Sequence, residues 1–187
     1  MPDRAALTRE LEERFRHLSL LLYDTSVDPK LADAAIAPLL AANVTFTDPW
    51  QQASGHRKYR IGIAGFHAMF RFKLELFQLS VQLSDDASHC RILADGVMRL
   101  QPLGAWYTFP LRTQLVYQCS LAADGTPTVL SHEEMWSLAD LLAAVPVGGS
   151  VYTRLFRPAF ARGFLLASRL SARARGMLPA DEALRQR

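Results

Sequence analysis

The chain has 187 residues, half of them hydrophobic, with 21 Lys and Arg against 18 Asp and Glu and a net charge of +3. That length suits one domain with a substantial core. No apolar run reaches the ~18 residues of a membrane span, and the charged N-terminus "MPDRAALTRELEERFRHL" has no apolar signal core.

Two cysteines, Cys90 and Cys119, are too few for a disulfide framework and lack a Cys-x-x-Cys spacing. A reduced, cytoplasmic protein is expected, with an organellar origin left open. The charge is uneven. Residues 1–149 hold 13 Lys and Arg against 16 Asp and Glu, whereas residues 150–187 hold eight arginines against Asp181 and Glu182. The basic character belongs to the tail, and a slightly acidic domain without a stacking motif argues against nucleic-acid binding.

In chain order, "LTRELEERFRHLSLLLYD" places Leu7, Leu11, Phe15, Leu18, Leu21 and Leu22 on one helix face. "DPKLADAAIAPLLAAN" predicts a second helix, with Asp28 as N-cap, Pro29 at its first position and a break near Pro38. "VTFT" is a short strand that stops at Asp48-Pro49 and passes through a polar loop and Gly55. A third helix is predicted from His56 to about Phe72, with Tyr59, Ile63, Phe66 and Phe70 on one face.

The period then changes to two. Strands are predicted over Leu74–Leu83, His89–Leu100, Trp106–Leu121 and Thr128–Leu138, the third carrying Tyr107, Phe109, Leu111, Thr113, Leu115 and Tyr117 on one face. A helical segment then begins at Leu138, breaks at "PVGGS" and resumes through Arg175. Helices followed by a run of antiparallel strands make an α+β domain over 1–138, with an Arg-rich extension over 139–187.

The passage "LLAANVTFTDPWQQASGHRKY" in this setting resembles the nuclear transport factor 2-like superfamily, over roughly residues 5–138. That group includes ketosteroid isomerases, scytalone dehydratase, limonene epoxide hydrolase and polyketide cyclases. "SHEEMWSLADL" looks similar to a branch with plastid and fungal members. The resemblance implies a sheet wrapped into a cone around an apolar pocket that the third helix helps to close.

It also places Asp48 where the ketosteroid isomerases carry their proton-shuttling aspartate. A carboxylate near apolar walls suits general-base work; the plainer reading is an Asp that caps a turn by accepting backbone N–H groups. The isomerases' carbonyl-polarising tyrosine and protonated aspartate have no evident match. "HLSLLLYD" offers Ser19 and Leu20 with Tyr23 too late, and "YTFPLRTQLVY" offers no carboxylate, which argues against steroid isomerisation.

Strand alternation puts His132, Glu134 and Trp136 of "SHEEMW" on one face. His132 with Glu134 or Asp48 would make an acid–base pair, or His132 is a hydrogen-bonded strand histidine. A metal is not expected, because one His with two Glu on a strand does not close a tetrahedron. Arg112 pairs across the sheet or holds an anion. No motif names a cofactor, so none is expected.

The expected function is binding of a small, mostly apolar molecule, with cofactor-free acid–base chemistry of isomerase, lyase or cyclase type. Asp48 is then the base, His132 or Tyr117 the acid, and Phe46, Trp50, Tyr59, Phe66, Phe70, Tyr107, Glu134 and Trp136 line the pocket. The alternative is a non-catalytic lipid- or partner-binding module. In the tail, Phe156, Phe160 and Phe164 alternate with arginines, so a packed helix, a homodimer and an anionic membrane surface all stay open, with packing expected.

Overall fold

The computed structural model describes residues 3–49, 51–102, 107–137, 140 and 148–163. The chain divides into two compact units, residues 1–140 and 141–187. In the first, helix α1 (Arg4–Leu22) starts at Asp3, whose side chain accepts the Ala5 N–H, and buries Leu7, Leu11, Phe15, Leu18, Ser19 and Leu22. Helix α2 (Pro29–Ile36) starts the same way, with Asp28 accepting the Lys30 N–H. It gives way to a 3-10 turn over Ala37–Leu39, because the Pro38 ring would clash with the carbonyl one helical turn back.

Strand β1 (Leu40–Thr47) begins four residues earlier than "VTFT" suggested. The Asp48–Gln51 corner then folds β2 (Gln52–Ser54) back on it as a hairpin, a strand the sequence did not announce. Gly55 follows at φ +104°, a left-handed conformation that glycine adopts without steric cost, and its N–H donates to Val44 O. Helix α3 (His56–Met69) ends one residue before Phe70, which is extended and opens strand β3 (Phe70–Leu83). Phe70 therefore belongs to the sheet and not to the helix face where its spacing from Phe66 put it.

Strands β4 (His89–Pro102), β5 (Phe109–Leu121) and β6 (Pro127–Trp136) follow. The six strands lie in the order β2-β1-β6-β5-β4-β3. All neighbours are antiparallel except β1 and β6, which run parallel, so the sheet is mixed rather than antiparallel throughout. The α+β reading holds, and the sheet is curved around its helices. Alternation sets the inner face, with Leu111, Thr113, Leu115 and Tyr117 of β5 buried and the Tyr117 ring packed on Phe15 of α1. The reduced thiols of Cys90 and Cys119 face each other across β4 and β5.

Arg112 points to solvent, and among the described residues its guanidinium enters no ion pair. No described helix is long and apolar enough to cross a membrane. In the second unit, Gly148–Val151 is helical, Tyr152–Phe156 forms a π-helical turn, and helix continues to residue 163. Its rings at Tyr152, Phe156 and Phe160 stack in series at four-residue spacing.

Candidate functional site

Three elements converge on β6. Its alternation sends His132 and Glu134 inward and leaves Glu133 and Met135 exposed. The chain leaving α1 is tied to β3, with Tyr23 O accepting the Leu74 N–H and Thr25 N–H donating to Phe72 O. That tie fixes Tyr23, whose hydroxyl meets both the Glu134 carboxyl and His132 Nε2, the latter at 3.2 Å. From α3, the Tyr59 hydroxyl reaches His132 Nδ1 at 2.7 Å. Helix α3 itself is pinned at both ends, as His56 donates to Ala37 O and His67 to Leu22 O.

Between these elements lies a cavity of about 70 Å3. Leu22, Phe46, Ile63, Phe66 and Trp136 give it apolar walls, and Tyr23, Asp48, Tyr59 and Glu134 give it polar groups. At ~10–15 Å3 of such volume per water, it holds roughly five to seven waters or one small ring.

Burial sets the charge states. Desolvation, and then the nearby charge of Asp48, lifts the Glu134 pKa to about 7, so this acid is half protonated near neutrality. Desolvation drops His132 to about 3 and keeps its imidazole neutral. Tyr23, Tyr59 and Tyr117 are all pushed above the usual phenol range, burial being the main cause. Trp136 stands near enough to Glu134 to favour the carboxylate slightly. Its Nε1 does not reach hydrogen-bond geometry, however, and is buried without a partner among the described residues. It is a donor that a ligand oxygen would satisfy.

Asp48 does what the plainer reading required. Its carboxylate accepts the Gln51 N–H at 2.8 Å and the Gln51 side-chain amide at 3.0 Å, closing the corner between β1 and β2. The same side chain also lines the cavity, so the two readings of Asp48 are compatible.

Of the sequence-predicted wall, Phe46, Tyr59, Phe66, Glu134 and Trp136 line the cavity. Phe70 packs against Phe66 with ring centroids 5.0 Å apart, and Tyr107 lies against Phe109 at 6.1 Å, neither among the described lining residues. Trp50 lies outside the described residues. His132 and Tyr117 sit behind the lining, stacked 4.2 Å apart, and Ser19 Oγ contacts the Tyr117 hydroxyl at 3.3 Å.

Tyr23 is the residue that sequence reasoning set aside and the structure brings in. The Phe15–Ser19–Tyr23 spacing of four was the available signal, since it carries the buried face of α1 one turn further. Among the described residues, no group of three or more His, Cys, Asp or Glu side chains could hold a metal ion.

No protein-family model matches the chain, and no curated protein matches it by sequence. Solved structures do. A putative scytalone dehydratase from Novosphingobium aromaticivorans is 13% identical over 70% of this chain and 83% of its own, at TM-score 0.55. Nuclear transport factor 2 from Cryptosporidium parvum is also 13% identical, over 70% of this chain and 94% of its own, at TM-score 0.52. A Catenulispora acidiphila protein solved in complex with S-DNPA is 14% identical over 71% and 95%, at TM-score 0.53. At such identities the likeness is one of fold, and the fold is the nuclear transport factor 2-like cone.

Proposed function

We propose that the protein binds a small, mostly apolar molecule carrying a carbonyl or enol oxygen, and moves a proton on it without a cofactor. The supporting observation is the pairing of two carboxyl groups in unlike settings on one cavity. Glu134, held near pKa 7 by burial, is an acid that can donate at neutral pH. Asp48, oriented by Gln51, is the base. A carboxyl raised by burial beside a second carboxyl in a polar corner gives one site a proton donor and a proton acceptor.

Trp136 Nε1, buried without a partner among the described residues, is the donor that polarises the ligand oxygen, and Tyr23, bonded to Glu134 on the same cavity, holds that acid in place. This reading moves the acid role from His132 and Tyr117, which stand behind the wall, to Glu134. Isomerase and lyase reactions both need this set, and the fold neighbours include a putative dehydratase.

Two measurements test the reading. Calorimetric titration with monocyclic phenols of graded acidity, which mimic an enolate, should show affinity rising with acidity and falling at least about tenfold in Trp136→Phe, the scale of one lost charge-assisted hydrogen bond. NMR of a monocyclic β,γ-unsaturated ketone in deuterated buffer should show α-proton exchange that Asp48→Asn slows by about 10²–10⁴-fold. Absence of both phenol binding and exchange would end this reading.

A further inference from the structure

Four side chains, three of them on the cavity wall and His132 behind it, form one unbranched hydrogen-bonded chain. The order is Glu134, Tyr23, His132 and Tyr59, with both imidazole nitrogens engaged by hydroxyls. Its two ends, Glu134 and Tyr59, both line the cavity, whereas its middle, His132, is 1% exposed and absent from the lining. Among the described residues the Tyr59 hydroxyl has no other hydrogen-bond partner than His132.

A neutral imidazole has one N–H and one bare nitrogen, so the direction of every bond in such a chain is fixed by the proton at one end. We infer that His132 is a tautomeric relay, which passes the protonation state of Glu134 to Tyr59 and so sets whether the Tyr59 hydroxyl donates into the cavity.

The protons balance. With Glu134 ionised, Tyr23 O–H donates to Glu134, His132 Nε2–H donates to the Tyr23 oxygen, and Tyr59 O–H donates to His132 Nδ1. When Tyr59 accepts a proton from the cavity side, its own proton passes to Nδ1, the Nε2 proton passes to Tyr23, and the Tyr23 proton passes to Glu134. Glu134 O–H then donates to Tyr23, Tyr23 donates to Nε2, and Nδ1–H donates to the Tyr59 oxygen. The Tyr59 proton is released from His132 and faces the cavity. One proton has entered at Tyr59 and one has been stored on Glu134, and His132 is neutral before and after.

The surroundings fit such a device. The stacked ring of Tyr117 on one side and the edge of Phe46 on the other keep the imidazole dry and unable to rotate freely. Burial opposes the imidazolium that a two-step transfer through a charged His132 would need. From the end of β1, the charge of Asp48 favours a proton on Glu134. Lys58 and His67 of α3 are the remaining ionisable groups on the cavity lining. For the proposed chemistry the relay makes Tyr59 a ligand-oxygen donor only when Glu134 holds its proton. That consequence rests on the pocket reading; the relay itself does not.

The test uses full-length, 15N-labelled protein without ligand. Two-bond 1H–15N spectra of the imidazole rings are recorded across the neutral range, with the His132 signals assigned by their loss in His132→Gln. The expected result is that the protonated and bare nitrogens exchange places around pH 7, Nδ1–H below and Nε2–H above, while the ring stays neutral. Glu134→Gln should make the tautomer ratio the same on both sides of neutrality.

A single His132 tautomer throughout overturns the relay, as does an imidazolium forming near the usual histidine pKa of about 6.5. An exchange that persists unchanged in Glu134→Gln overturns it too. If that variant fails to fold, the wild-type series alone decides. Because no ligand is present, failure here leaves the phenol and ketone measurements standing, and their failure leaves this one standing.

Discussion

Glu134 and His132 stand two residues apart on β6, and burial shifts them in opposite senses. Between pH 4.5 and about 7 the folded protein holds a Glu134 proton that the unfolded chain has lost, so stability falls as pH rises. Between about 3 and 6.5 the unfolded chain binds a His132 proton that the folded protein refuses, so stability rises with pH. Each slope is about 1.4 kcal/mol per pH unit at full difference. From pH 4.5 to 6.5 they oppose and nearly cancel.

The lowered carboxyls Asp24, Asp33, Asp86 and Asp124 act mainly below their ordinary value of 3.8, and Glu75, lowered from 4.5, adds a rising slope only at the acid edge of that window. Wild-type stability should therefore be close to flat from about pH 5 to 6.5. Glu134→Gln should rise across it by about 1.4 kcal/mol per unit, the histidine slope left alone. Urea unfolding at several pH values measures both, and a mutant as flat as the wild type would contradict these two assignments.

At the scale of elements, the irregularity in the β3–β4 pairing is built around one glycine. The β3–β4 register shifts between Leu76 and Gln78, and Gly96 lies opposite Leu76 at that irregularity. A Cβ there would stand 2.4 Å from the Glu75 carbonyl oxygen, against backbone that cannot swing aside. Gly96→Ala should cost about 1–3 kcal/mol, the usual penalty for overpacking. Gly65→Ala on α3 is the control. A Cβ meets nothing within 4 Å there, and the helix should gain about 0.5–1 kcal/mol. Thermal melts of both variants check the pair, and equal shifts would mean that Gly96 is not the constraint.

These elements also show what the sequence can and cannot reveal. Alternation in "SHEEMW" put His132, Glu134 and Trp136 on one face, because a strand's period is local and rigid. The end of α3 was not legible: Phe66 and Phe70 keep helical spacing across a helix-to-strand change. Strand β2 has three residues, too few for any period. The parallel β1–β6 pairing joins Leu40–Thr47 to strand residues more than 80 positions away, which no local pattern encodes. Tyr23 was misjudged for the same reason. Its place in the site comes from the tie between the end of α1 and β3, a contact spanning about 50 residues.

At the scale of the whole molecule, the remaining question is what the second unit contributes to the first. Every buried hydrophobic side chain among the described residues falls between Leu7 and Val129, and the cavity is lined from Leu22 to Trp136. A core and a pocket that, among the described residues, draw only on residues 1–140 should survive without residues 141–187. The chain truncated after Asp140 should therefore melt cooperatively, within a few degrees of the full-length protein, and bind the same phenols. The competing expectation is that the stacked rings of Tyr152, Phe156 and Phe160 cover core. Each aromatic side chain is worth roughly 1.5–3 kcal/mol when buried, so truncation would then bring early melting or aggregation. Vesicle co-sedimentation separates the remaining role of the tail. If its arginines and aromatic ridge meet an anionic bilayer, the full-length chain should pellet with anionic vesicles and the truncated chain should not. Salt should release it, because screening at physiological ionic strength already limits charge attraction to about 8 Å. A full-length chain that ignores vesicles, beside a truncated chain that melts early, would assign the tail to packing.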